Sequence, residues 1–122
     1  MVGFVLFIQC SNSKPSRGQA LYETHCGNCH LNNGQGIGTL MPPLKNADYI
    51  LENRADLACI ITNGLEGEIE VNEITYNNPM LPITELSEVD IVNILNYIQA
   101  QWYPQESVFS ISEIKDQLEN CN

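Results

Sequence analysis

The sequence predicts a small all-α domain with one short extended segment. The longest apolar pattern has the spacing of one helix face and contains Ile91, Ile94, Leu95, Ile98 and Trp102. Ser87, followed by Asp90 three residues later, is typical of the capping box that opens such a helix. The chain lacks the alternation of strands and helices that indicates a parallel β-sheet. Its 122 residues are enough for one domain.

The first helix is predicted to begin after Ser16, whose hydroxyl can cap it. Gly18, Tyr22 and Cys26 then recur every four residues and form one stripe. Residues 32–43 are rich in glycine and end in two prolines. We therefore expect a loop without regular structure there.

Two short helices are predicted in the middle of the chain. One follows Asn46 and ends at Glu52, and the other covers 55–62 and stops at Gly64. The apolar residues of the second helix share one face: Leu57, Ile60 and Ile61. Residues 68–76 indicate a small extended loop or hairpin.

The end of the chain is predicted to form a further short helix. Ser110 and Glu113 have the spacing of a second capping box, and Phe109 and Ile114 have that of a hydrophobic staple around it. This helix is expected to end near residue 120.

The motif with the clearest chemistry is Cys26-Gly27-Asn28-Cys29-His30. C-x-x-C-H is the sequence at which c-type haem is attached, because two thiols at this spacing form thioethers with the haem and the next imidazole ligates the iron. A thioredoxin-like redox pair or half of a zinc site would share the two cysteines. Both fit poorly, because the chain has no βαβ pattern and no second ligand pair.

A haem iron with one histidine needs a second protein ligand or keeps an open position. His25 directly precedes the motif and cannot reach the opposite face. Met41, close after the motif, is interpreted as a packing residue. Met80 lies in a proline-stiffened loop, 77–82, which is far enough along the chain to cross to the other face. We therefore predict that Met80 is the sixth ligand, and the alternative is an ordinary core methionine.

From Ser16 to Trp102 the chain resembles the class I, single-haem cytochromes c. The matches are, in order, Gly18 and Tyr22 before the C-x-x-C-H motif, Pro42-Pro43-Leu44, the loop with Met80, and Ile94 and Tyr97 in the last core helix. The resemblance implies the all-α cytochrome c fold, with helices packed around one covalently attached haem c. A short C-terminal helical extension follows the part that matches.

The resemblance also implies specific contacts. The first and last core helices should cross at near right angles, with Gly18 and Tyr22 against Ile94 and Tyr97. The carbonyl of Pro42 should accept the N–H of the His30 imidazole, which fixes the ring.

The function implied is one-electron transfer between extracytoplasmic redox partners, without enzymatic activity. Two alternatives stay open: a dedicated haem subunit of a larger oxidase or dehydrogenase, and a peroxidase or sensor with an open iron position. The second is disfavoured, because no distal histidine is available.

The start of the chain predicts export. Residues 1–9 resemble a signal, and 10–15 form a linker that begins with Cys10, a lipid-anchor candidate on the periplasmic side. The alternative is a cleaved signal with an unmodified Cys10. The cytochrome domain is then expected to span 16–103 and the extension 104–122.

The net charge of −10 excludes a nucleic-acid-binding or anionic-lipid-binding face as the main function, since only five Lys and Arg residues are present. An acidic surface can instead steer a redox partner with a basic docking face. The alternative is that the acidity only keeps the domain soluble.

Cys59 and Cys121 are not needed for haem attachment. Two spare cysteines in an exported domain tend to pair, and a disulfide between them would hold the extension on the domain. The alternative is that Cys59 is a small buried apolar residue and Cys121 is free.

Overall fold

The computed structural model describes residues 1, 3–6 and 13–122. The predicted, mostly helical fold is confirmed. The elements are α1 (Arg17–His25), α2 (Gly27–His30), α3 (Asp48–Glu52), a 3₁₀ turn (Arg54–Asp56), α4 (Leu57–Asn63), β1 (Ile69–Val71), β2 (Ile74–Tyr76), α5 (Glu88–Trp102) and α6 (Ile111–Glu119). Cys10 and the adjoining residues 7–9 lie outside the described residues. The export signal and the lipid anchor therefore stay predictions from the sequence.

The crossing of α1 and α5 forms the centre of the core. A Cβ on Gly18 would lie 2.4 Å from the backbone oxygen of Asn93, so only glycine permits this approach. Tyr22 packs on Tyr97 at 5.4 Å between ring centroids and edge-on against Trp102 at 5.7 Å. The predicted contact of the Gly18 stripe with Tyr97 is therefore confirmed.

Side chains at their N-termini cap both of these helices. Ser16 Oγ accepts the N–H of Gln19 at 3.1 Å, and the box of Ser87 and Asp90 is complete in both directions. The first helix is shorter than expected, because Cys26 leaves the helix as its C-cap and the rest of the motif forms the separate turn α2.

The middle of the chain forms short helices and a hairpin, and hydrogen bonds join the hairpin to α3. α4 begins at Leu57, after the 3₁₀ turn, and not at 55 as predicted. β1 and β2 form the expected hairpin, in which Val71 pairs with Ile74. Asn72, at its turn, exchanges hydrogen bonds with Asp48 at 2.8 and 3.0 Å, which fixes the hairpin to α3.

The extension packs on α4 and α5 through α6. Ser110 caps α6 as predicted. The predicted return bond of the capping box, from the Ser110 backbone N–H to the Glu113 carboxylate, is wrong. The Glu113 carboxylate instead binds Arg54 at 3.0 and 3.2 Å. The predicted disulfide between Cys59 and Cys121 is present. Among the described residues, no helix is both long and apolar enough to cross a membrane.

Candidate functional site

The two motif cysteines lie on either side of the break between α1 and α2. Cys26 ends α1 with its N–H on Tyr22 O at 2.8 Å, and its carbonyl accepts the N–H of His30 at 2.9 Å. Its side chain is 7% exposed, whereas Cys29 is exposed. Burial, and secondarily the nearby Cys29, raise the pKa of the Cys26 thiol to about 12. The motif thus spans the break, with both thiols and the imidazole within five consecutive residues.

The His30 ring has a defined orientation. The residue is 8% exposed, and its Nδ1 lies 2.9 Å from the carbonyl oxygen of Pro42. A carbonyl only accepts, so Nδ1 carries the proton and the lone pair of Nε2 is free to bind a metal. Burial lowers the pKa of His30 and the bond to Pro42 opposes that shift, so the neutral, ligating form is favoured.

The loop after the motif holds the Pro42 carbonyl in place. Gly36 N–H binds His30 O at 2.9 Å, and Gly34 O accepts the N–H groups of Leu44 and Lys45, both at 2.9 Å. A Cβ on Gly36 would lie 2.3 Å from Met41 O, so the loop passes close over its own backbone there. These contacts make His30 and Pro42 parts of one closed loop.

Tyr103 is a site residue that the sequence reasoning missed. It follows α5, and its hydroxyl donates to Leu44 O at 2.5 Å and accepts the N–H of Ala47 at 2.8 Å. The tyrosine therefore ties the segment after Pro42 to the end of α5. The helical periodicity stops at Trp102, so no pattern in the sequence indicated this role.

The backbone of Met80 pairs with that of Leu65, two residues after the end of α4. Its N–H and carbonyl bond to Leu65 in both directions at 2.9 Å. Gly64, with φ +74°, lets the two segments approach, because a Cβ there would lie 2.3 Å from Met80 O. Ile83 N–H also binds Ile61 O at 3.0 Å. The half-buried Met80 is thus held mainly through its backbone.

The two residues rejected as ligands from the sequence have other partners. Met41 Sδ lies 3.7 Å from Asn78 Nδ2, in the loop that carries Met80. His25 Nδ1 lies 3.5 Å from Glu85 Oε1. Both contacts are compatible with structural roles.

The donor set fits a c-type haem. Two thiols and one imidazole lie within five consecutive residues, and the Pro42 carbonyl that orients the imidazole through Nδ1 is present. Among the described residues, His30 Nε2 has no hydrogen-bond partner. Cys26, Cys29 and His30 would therefore hold the group on one side.

Comparison with known proteins adds independent support. The cytochrome c family model matches residues 15–102. Cytochrome c-552 of Thermus thermophilus is 34% identical over 101 residues, which cover 74% of this chain and 76% of that protein. The cytochrome c subunit of the quinone alcohol dehydrogenase of Gluconacetobacter polyoxogenes is 28% identical over 94 residues, covering 75% of this chain but 20% of that protein.

Proposed function

Because the chain belongs to the cytochrome c family, whose members bind haem c covalently and carry electrons, we propose that it is a one-electron carrier with one haem c. Cys26 and Cys29 provide the thioether bonds, and His30 and Met80 are the axial ligands. The observation that carries the proposal is the hydrogen bond between His30 Nδ1 and Pro42 O, which leaves Nε2 free in a residue of the C-x-x-C-H motif. Family members are generally not enzymes.

The chemistry follows from the ligands. The haem supplies an iron that changes oxidation state by one electron. A fixed imidazole and a fixed thioether suit both states, so little has to move, and methionine ligation raises the reduction potential. The carbonyl of Pro42 holds the His30 ring, and hydrogen bonds to Leu65 hold the Met80 backbone, which supports these roles.

Attachment can be tested by mass spectrometry and haem staining of protein made in a host that matures c-type cytochromes. We expect the chain to carry the mass of one haem. Cys26→Ser and Cys29→Ser should each retain a haem through one thioether at best. Folded, haem-free wild-type protein from such a host would contradict the proposal.

The haem domain is proposed to work at the outer face of a membrane. Cytochrome c homologues are extracytoplasmic, and the apolar start of the chain followed by Cys10 supports a lipid anchor. Mass spectrometry of protein from its native membrane tests this. A diacylated N-terminal Cys10 is expected, whereas an unmodified N-terminus downstream of Cys10 would contradict the anchor.

The partner is proposed to be a redox protein with a basic docking face. The net charge of −10 supports this, because opposite charges accelerate encounter at low salt. Electron exchange with a cationic redox reagent should slow as salt rises from about 10 to 200 mM, because the Debye length falls from about 30 Å to below 10 Å. An anionic reagent of similar potential should show the opposite trend.

A second candidate is a dedicated subunit of a larger dehydrogenase. One relative is the cytochrome c subunit of a quinone alcohol dehydrogenase, and the extension exposes Val108 and Ile111. Haem staining of solubilised native membranes after native electrophoresis separates the two functions. A band with the mobility of the purified single chain indicates a free carrier, and a band in a much larger complex indicates a subunit.

A further inference from the structure

We propose that α6 positions the Met80 loop, residues 77–82, and that it acts through α4. The inference rests on the proposed function for its effect at the iron, because Met80 is there the sixth ligand. The mechanical part does not depend on ligation. It follows from what holds each end of α4.

The N-terminal end of α4 is capped by the extension. The first N–H groups of a helix have no partner within it, and Asp56 at the N-cap makes no side-chain hydrogen bond to them. Gln117 Oε1, from α6, accepts the N–H of Ala58 at 2.9 Å, and its Nε2 donates to Arg54 O at 3.0 Å. Gln117 is 8% exposed, so these bonds are sheltered from water.

Two further links join the extension to the 3₁₀ turn and the first turn of α4. The disulfide between Cys59 and Cys121 closes over the first turn of the helix. Arg54 binds Glu113 and also lies 3.7 Å from the centroid of the Phe109 ring. Covalent, ionic and hydrogen-bond contacts from the extension therefore converge on the 3₁₀ turn and the first turn of α4.

The C-terminal end of α4 bonds to the Met80 loop and the residue after it. Ile61 O accepts the N–H of Ile83, and Leu65 pairs with Met80 in both directions. A helix of seven residues is too short to be stable alone. Loss of its N-terminal contacts should therefore loosen its C-terminal end and the Met80 pairing with it.

Amide hydrogen exchange of the full-length holoprotein tests the coupling. We expect Gln117→Ala, with the disulfide intact, to accelerate exchange at Leu65, Met80 and Ile83 about tenfold, as the loss of a buried hydrogen bond implies. In the wild type these three amides should exchange faster than that of Ile94 in the α1–α5 core, so that they report a partial opening and not global unfolding. The double variant Cys59→Ala/Cys121→Ala should change the same amides.

Lys115→Ala is the matched control. Lys115 also lies on α6, but its ion pair, at 3.9 Å, is with Glu88 of α5. Its replacement should leave the three amides unchanged. Unchanged amides in Gln117→Ala would overturn the coupling. Wild-type protection of the three amides equal to that of Ile94 would also overturn it, since they would then report only global unfolding.

The effect at the iron is measured by titrating the ferric protein with imidazole, which competes for the sixth position. Gln117→Ala should tighten imidazole binding about tenfold by the same reasoning. In a Met80→Ala background it should have no effect. Unchanged imidazole affinity despite faster exchange would overturn this part. If wild type lacks the far-red band of methionine ligation, the proposed function fails, while the exchange experiment still decides the coupling.

Discussion

The two sides of the candidate haem site are held by different parts of the chain. On one side, His30 is fixed by Pro42 and by a loop that Tyr103 ties to the end of α5. On the other side, Met80 depends on α4, whose first turn is capped from α6. The family match ends at residue 102, just before Tyr103 and well before α6. The contacts that fix His30 thus lie almost entirely within the matched part, whereas in the coupling proposed above the Met80 side is supported from the extension.

The largest effect is expected from His30→Ala. Without the imidazole the iron loses the ligand that the thioethers place beside it, so little stable haem protein should accumulate. Haem content per chain after purification measures this. His25→Ala is the control, because its partner is Glu85, and it should mature normally. Equal haem content in both variants would contradict the role of His30.

Because Met80 is the proposed sixth ligand, Met80→Ala should mature but leave the iron without that ligand. We expect the far-red charge-transfer band to disappear and the potential to fall by a sizeable part of the roughly 0.8 V that axial ligands span in haem proteins. Spectroelectrochemistry records both. Met41→Ala is the matched variant and should keep the band. If Met41→Ala loses the band instead, Met41 and not Met80 is the sixth ligand.

Two glycines allow the two sides to be disturbed separately. Gly64→Ala and Gly36→Ala each force a Cβ to 2.3 Å from a backbone oxygen at positive φ, and each should cost about 2–4 kcal/mol of unfolding free energy. Gly64→Ala should tighten imidazole binding, because Met80 O is the crowded atom. Gly36→Ala should mainly shift the NMR signals of the His30 ring. Identical changes in both variants would remove the distinction between the sides.

The smallest effect is expected from Tyr103→Phe. It leaves Ala47 N–H and Leu44 O without their hydroxyl partner, which should cost about 1–2 kcal/mol in denaturant unfolding. Tyr97→Phe is the control, because no hydrogen bond of its hydroxyl occurs among the described residues. A larger loss in Tyr97→Phe would show that Tyr103 does not hold the loop.

Local signals in the sequence predicted most of the fold. The Ser16 and Ser87 caps, the Gly18 stripe and the hairpin at 68–76 depend on neighbouring residues, and each is present. The spacing of the C-x-x-C-H motif was also enough to predict three residues of the candidate site.

The remaining contacts join residues that no local pattern connects. Gln117 and Ala58 are 59 positions apart, as are Tyr103 and Leu44. Glu113 had the spacing of a local cap, yet it binds Arg54, because a partly buried guanidinium is a stronger partner for a carboxylate than a backbone N–H. For Cys59 and Cys121, two outcomes were equally compatible with the sequence until packing placed the thiols together.

The close crossing at Gly18 also determines when the domain can fold. Arg17 and Asp90, which meet beside it, are 73 positions apart, and each element between α1 and α5 has fewer than ten residues. Such elements are unstable alone, and closing so long a loop is entropically costly, so we expect the α1–α5 crossing to form slowly. Cys26, 7% exposed after closure, is open to a modifying enzyme only before it. We therefore expect haem attachment at Cys26 to precede the docking of α5.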